Sequence, residues 1–314
     1  MPPLHHETPL YLSGPLTRAL GARVSLKMEA FQPVGSFKLR GIGAACQDSV
    51  DRGATRLLCS SGGNAGLAVA YCGSALGMPV DVFVPRTTPE RMREAIRVFG
   101  ATVTEWGDSW DDAHDHALQL AGDKEQAAYI HPFDDSRIWH GHSTLVREAA
   151  GQLKAPPGAV VVSVGGGGLL VGVLEGLVAV GWEKVPVLAV ETEGADSFAR
   201  SVAAKELVTL DRITSLATSL GARTPAAEAL SWATRHEIRT CVVTDRAAVA
   251  ACARFADDHR VLVEPACGAA LSSVYDGADG LLDVDSVLVV VCGGAGVTRE
   301  LLSRWISREA ELPG

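Results

Sequence analysis

The sequence has no C-x-x-C pair, and its seven cysteines (Cys46, Cys59, Cys72, Cys241, Cys252, Cys267 and Cys292) are odd in number. A disulfide framework or a zinc ribbon is therefore not expected, and a reducing, cytoplasmic location is. No charge-free apolar run reaches membrane length, so no membrane partner is expected. Residues 1–7 lack the basic region and apolar core of a signal peptide, and none is expected. A basic excess is also missing: 28 lysines and arginines stand against 37 acidic residues, a net charge of −9. That balance disfavours nucleic acid as a partner. Internal repeats and low-complexity segments are absent. No glycine loop matches G-x-G-x-x-G or G-x-x-x-x-G-K-[ST], which weakens nicotinamide and nucleoside-triphosphate readings.

What is present is 314 residues, 47% of them hydrophobic, with 33 glycines. That suits one large or two modest α/β domains. Apolar runs bounded by glycine and proline alternate with helix-period segments. Buried strands are expected at Arg56–Cys59, Val80–Val84, Thr102–Glu105, Ala127–Ile130, Val160–Val164, Val187–Val190 and Ser286–Val291. Helices are expected to include Gly66–Leu76, Pro89–Phe99, Trp110–Ala121, Ser143–Leu153, Leu169–Val180, Ala226–Arg235, Arg246–Asp257 and Thr298–Glu309. Residues 43–138 form a self-contained small α/β domain in this reading, inserted in a large domain of residues 1–42 and 139–314.

Four segments carry chemistry. Lys38 follows the small and turn-forming residues Pro33-Val34-Gly35-Ser36-Phe37 and opens a helix-like stretch. Pressed between apolar neighbours, its amine is favoured neutral, as Schiff-base chemistry with a carbonyl or with pyridoxal phosphate requires. A solvated loop lysine is the alternative. Val160–Val164 runs into Gly165-Gly166-Gly167-Gly168 and a helix, so exposed amides and the helix dipole suit a phosphate. A tight turn without a ligand is the alternative there. Ser60-Ser61-Gly62-Gly63-Asn64-Ala65-Gly66 also links a strand to a helix and suits a carboxylate, or is an ordinary helix start. Cys292 lies at the carboxyl end of a predicted strand, the edge where open α/β sheets bind ligands, or is a structural cysteine.

With Val263-Glu264-Pro265-Ala266-Cys267-Gly268-Ala269-Ala270, these segments make the chain resemble the fold-type II pyridoxal-phosphate enzymes, closely the L-serine dehydratases of the liver type, over essentially its whole length. The resemblance implies a large domain with a parallel-rich sheet flanked by helices, and a smaller inserted α/β domain. It implies that Lys38 holds pyridoxal 5'-phosphate covalently and that Phe37 packs on one face of its ring. Gly165, Gly166, Gly167, Gly168 and Leu169 would bind the phosphate. Ser61, Gly62, Asn64 and Ala65 would hold the substrate carboxylate, Asn64 also lying near the cofactor. Cys292 would face the pyridine nitrogen. Glu191, with carbonyls of Ala195, Leu220 and Ala222, would hold a monovalent cation, usually potassium.

The implied reaction is dehydration and deamination of L-serine to pyruvate and ammonia, with L-threonine giving 2-oxobutyrate. The implied assembly is a homodimer. Two positions depart from the pattern. Gly62 stands where alanine is frequent, which predicts a wider pocket and a looser grip on substrate. Ser219 stands where a small apolar residue covers the ring's other face. The absence of serine at position 62 favours dehydration over racemisation. The rival readings are a threonine-preferring dehydratase, a β-replacement enzyme of the same fold, and a non-catalytic amino-acid-binding protein. No C-terminal regulatory domain is expected. Neither His114-Asp115-His116 nor His140-Gly141-His142 has a third metal ligand in sequence, so both are expected to be solvated or capping residues. Glu264-Pro265-Ala266 is assigned no role beyond packing.

Overall fold

The computed structural model describes residues 1–123 and 126–310. Ten strands occur among them: β1 Leu10–Leu12, β2 Arg23–Lys27, β3 Arg56–Cys59, β4 Val80–Val84, β5 Thr102–Glu105, β6 Ala127–Tyr129, β7 Ala159–Ser163, β8 Val187–Thr192, β9 Ile238–Val243 and β10 Ser286–Val290. They form a six-stranded sheet, ordered β1-β2-β10-β7-β8-β9, and a four-stranded sheet, ordered β5-β4-β3-β6. Every pairing is parallel except β1 with β2. The expected α/β class is what the chain adopts. Among the described residues no helix is long and apolar enough to cross a membrane.

Contacts divide the chain into two units, one of residues 1–6 and 32–142 and the other of 7–31 and 143–314. The first holds the four-stranded sheet, with a core of Leu58, Phe83, Ala113 and Ala117. It takes in all of the helix Lys38–Asp51, which the sequence reading divides after residue 42. The reason is packing: that helix lies against the helix Asn64–Leu76, and Cys46 meets Cys72 between them. Residues 311–314, at the expected end of the large domain, lie outside the described residues.

The second unit holds the six-stranded sheet. Its inner strands β7, β8 and β10 read as continuous apolar runs because the sheet is covered by helices. Strands β1, β2 and β9 are not among those expected from the sequence. Strand β9 is a half-exposed edge whose Arg239 and Thr240 interrupt the apolar pattern. In β2 the interruption is Lys27, whose side chain is 0% exposed. Its Nζ donates to Thr8 O at 2.7 Å, Glu148 Oε2 at 2.6 Å and Gln152 Oε1 at 3.0 Å. All three ammonium protons thus have acceptors, as a buried charge requires.

The helix Pro265–Tyr275 was also not expected. All of its residues are buried, against the helix Asp245–His259 and strands β7 and β8. With no solvent face it has no amphipathic period to read.

Candidate active site

In the first unit Phe37 is the N-cap of the helix Lys38–Asp51, so Lys38 is its first residue. The amine of Lys38 donates to the carbonyl of Pro132 at 2.6 Å and lies 5.3 Å from the centre of the Phe37 ring. Behind Phe37 stands His142, with ring centres 4.9 Å apart. A methyl on Gly41 would sit 2.6 Å from His142 Cε1 and from the carbonyl of Ile138. Glycine there lets the helices Lys38–Asp51 and Ser136–Gln152 touch, which brings His142 under the ring. His142 is therefore not the solvated or capping residue expected: it is 0% exposed, and neither ring nitrogen has a hydrogen-bond partner among the described residues. Burial, with Lys38, Arg40 and His5 nearby, holds its pKa well below the usual histidine value.

The segment Ser60–Gly63 links β3 to the helix Asn64–Leu76, which begins two residues before its expected start. Gly63, at the N-cap, supplies no side chain, and Ser61 Oγ accepts the Gly63 amide at 3.3 Å. Ser61, Gly62 and Asn64 are half-buried and Ala65 is buried. The widened pocket expected at Gly62 needs correcting. A methyl there would lie 2.5 Å from Thr88 Cγ2 and 2.7 Å from Thr88 Oγ1. The space is already held by Thr88, which comes from the turn between β4 and the helix Glu90–Arg97. Gly62→Ala alone should therefore lower kcat/KM about tenfold, and adding Thr88→Ala should restore most of it. Strictly additive effects in the four-variant cycle would show that the two positions do not share this space.

In the second unit β7 leads into the glycine turn, and Gly167 (φ +88) is the N-cap of the helix Gly168–Ala179. Among the described residues no side chain caps that helix, so its first amides are open to an anion. A methyl on Gly165 would lie 2.9 Å from Leu220 Cα, so only glycine allows this cradle. These donors fit a phosphate ester. Cys292, just past β10, is buried, and its thiol is pushed well above the usual range by a hydrogen bond with the Cys267 thiol and by burial. A neutral thiol fits a pyridine nitrogen that is left unprotonated.

Ser219 is exposed, and its hydroxyl donates to Glu264 Oε2 at 2.6 Å. Glu264 also accepts the Gly296 amide at 2.5 Å, so it ties the loop after Cys292 to the turn that carries Ser219. This is a role that the sequence did not disclose. Its signal was only a carboxylate just before a proline-started helix.

Glu191 is buried and caps the helix Ser197–Ala204, accepting the amides of Phe198 at 2.9 Å and Ala199 at 2.6 Å. Burial still pushes its carboxyl up to about 8. The carbonyl of Ala222 accepts the Ser197 hydroxyl at 2.9 Å, and that of Leu220 accepts the Ala222 amide at 2.8 Å. Ala195, also buried, bridges back to Thr192.

The histidines of the first unit make an acid-sensitivity prediction. Burial pushes His131 down to about 4 and lowers His114, besides the large depression at His142. A histidine with a depressed native pKa takes up its proton first in the unfolded chain. The stability it protects is complete above about 6.5 and falls as the pH drops towards 4, by at most about 1.4 kcal/mol per pH unit for each linked proton. His142→Phe should therefore raise the urea midpoint more at pH 5 than at pH 7. An equal change at both would assign the effect to packing alone.

A lysine on a helix start, an uncapped glycine cradle after a parallel strand and a neutral thiol at the sheet's carboxyl edge define a class of enzymes built around a phosphorylated aldehyde cofactor. Residues 1–293 match the pyridoxal-phosphate dependent enzyme family, and the chain belongs to it. Over 308 residues it is 48% identical to a Rattus norvegicus protein named serine dehydratase-like, spanning 96% of this chain and 93% of that one. It is 45% identical over 304 residues to the Homo sapiens L-serine dehydratase/L-threonine deaminase, spanning 94% and 93% of the two chains. A fungal L-serine ammonia-lyase from Rhizomucor miehei superposes with a TM-score of 0.93 at 39% identity, over 98% of this chain and 99% of that one. The fold is that of the fold-type II pyridoxal-phosphate enzymes.

Proposed function

We propose that the protein is a pyridoxal-phosphate L-serine dehydratase that releases pyruvate and ammonia, and that it also converts L-threonine to 2-oxobutyrate. The observation that carries the reading is the neutral Cys292 thiol, in a family member whose relatives are named serine dehydratases. When bound, pyridoxal phosphate supplies the electron sink that acidifies the substrate's Cα–H, and a neutral partner at its ring nitrogen keeps that sink shallow, which favours β-elimination over transamination.

The chain's own groups then divide the work. Lys38 anchors the cofactor through Nζ and, once freed, takes the Cα proton on that atom. The amides of Gly165, Gly166, Gly167, Gly168 and Leu169 hold the phosphate. Phe37 and Ser219 flank the ring, and His142 fixes the orientation of Phe37. Ser61, Gly62, Asn64 and Ala65 bind the substrate carboxylate and so orient the Cα–H towards Lys38. Glu191 with the carbonyls of Ala195, Leu220 and Ala222 binds a potassium ion, whose charge offsets the buried carboxylate. The working form is a cytoplasmic homodimer, with a small domain of residues 43–138 and a large domain formed by the rest.

The test is oxoacid production from L-serine and L-threonine with pyridoxal phosphate, in potassium and then in a large organic cation. Pyruvate formation that falls about tenfold or more without potassium is expected. No oxoacid from either substrate, with a sulfur adduct formed when sulfide is added, would replace dehydration by β-replacement chemistry. Serine binding without the cofactor and without turnover would favour a binding protein.

A further inference from the structure

The turn that receives the Lys38 amine is itself held by a histidine. Pro132, whose carbonyl accepts from Lys38 Nζ at 2.6 Å, is buried. The preceding residue, His131, folds its ring back over the turn, and its Nδ1 accepts the amide protons of Phe133 at 3.2 Å and Asp134 at 2.7 Å. A nitrogen that accepts two N–H groups carries no proton, so the ring's hydrogen sits on Nε2. The indole of Trp139 braces the same turn from the following helix, donating Nε1–H to the Phe133 carbonyl at 2.8 Å. The ring of His131 lies edge-on to Phe133, His114, Trp110 and Tyr129.

We infer that His131 is a positioning residue for Lys38: by accepting the Phe133 and Asp134 amides it fixes the Pro132 carbonyl as the seat of the lysine amine. The inference rests on the reading of Lys38 as the cofactor lysine. A lysine side chain has four rotatable carbon–carbon bonds, and an unanchored amine samples many positions. One N–H donated to a fixed carbonyl holds the nitrogen and turns its lone pair away from Pro132. That arrangement serves an amine that must attack the cofactor aldehyde and later accept a proton. Burial, with His114 and Lys38 nearby, keeps the imidazole neutral down to about pH 4, so Nδ1 remains an acceptor throughout the neutral range. His131 touches neither substrate nor cofactor in this scheme. It acts through the backbone of the turn.

The experiment compares wild type, His131→Leu, His131→Asn and Trp139→Phe. Leucine removes the acceptor, whereas asparagine offers Oδ1 to amides two and three residues on, the habit of this side chain in turns. The first readout is the rate at which cofactor-stripped protein captures pyridoxal phosphate, followed by the absorbance of the lysine-bound form. The site of capture is confirmed by borohydride fixation and peptide mapping. The second is kcat and KM for L-serine.

His131→Leu is expected to slow capture and lower kcat, each about tenfold, with KM for serine changed less than about twofold. Asparagine should return both rates to within about threefold of wild type, and Trp139→Phe should fall between wild type and leucine. Capture and kcat at wild-type values in the leucine variant, with only a lower melting temperature, would reduce His131 to a structural residue and overturn the inference. So would an asparagine variant no better than leucine. If leucine prevents folding, wild-type capture by Trp139→Phe overturns it. If wild type itself captures no cofactor on Lys38, the reading of Lys38 fails along with it, whereas normal wild-type capture with an indifferent His131→Leu sinks the seat alone.

Discussion

Lys38→Ala is expected to lower oxoacid formation from L-serine about a thousandfold or more and to remove the absorbance of lysine-bound cofactor. One side chain carries two roles in the proposed reaction, anchoring the cofactor and moving the Cα proton, so its loss cannot be offset by binding elsewhere. The fold should survive. Lys38 is only half-buried, its amine is held by a backbone carbonyl, and alanine is a good residue on a helix's first turn. The melting temperature should therefore move by only a few degrees. Phosphate binding at the glycine cradle does not need the lysine, so pyridoxal phosphate should still bind, reversibly, and be lost on gel filtration. Activity within tenfold of wild type in a preparation free of wild-type enzyme would remove Lys38 from the chemistry.

The largest effect on stability is expected at Lys27. Its ammonium is fully buried, and three acceptors from two other segments converge on it, Thr8 O, Glu148 Oε2 and Gln152 Oε1. Glu148 Oε2 also accepts the Thr8 amide at 3.3 Å, so loss of the lysine disturbs a connected set. Lys27→Met keeps the aliphatic stem but takes the Lys27 charge away from the Glu148 carboxylate, itself largely buried. Removing one partner of a buried ion pair costs about 3–5 kcal/mol. Adding Glu148→Gln should recover a large part of that loss, because the amide needs no counter-ion. Urea unfolding of the three variants reads this directly. A loss below about 1 kcal/mol in Lys27→Met would mean that water or a neighbouring cation reaches Glu148.

These two lysines show what kind of information a linear sequence holds. The place of Lys38 at a helix start was legible because short-range pattern marks it: turn residues before and a helix-like stretch after. Strands β3, β4 and β5 were legible to the residue: β3 and β4 are mostly buried apolar runs with a parallel neighbour on each side, whereas β5, a largely exposed edge strand and not the buried one expected, is marked by its β-branched Thr102, Val103 and Thr104. The positions of the glycine turn and of Cys292 were legible because each follows a buried apolar strand, β7 and β10.

Lys27 misled in the opposite direction. A charge at the end of a short strand reads as a break unless its partners are known, and two of those partners lie 121 and 125 residues away at Glu148 and Gln152. The same holds for Thr88 beside Gly62, for Glu264 between Ser219 and Gly296, and for the pocket that buries His142. By itself the sequence determined the α/β class, the order of most elements, and the residue types at the ends of the strands, because these follow from local period and local turn chemistry. Only the tertiary structure decided which side chain fills the space above Gly62, which carbonyl receives the Lys38 amine, and which histidines are buried neutral. Those outcomes depend on contacts between residues far apart in the chain, and no local pattern encodes them.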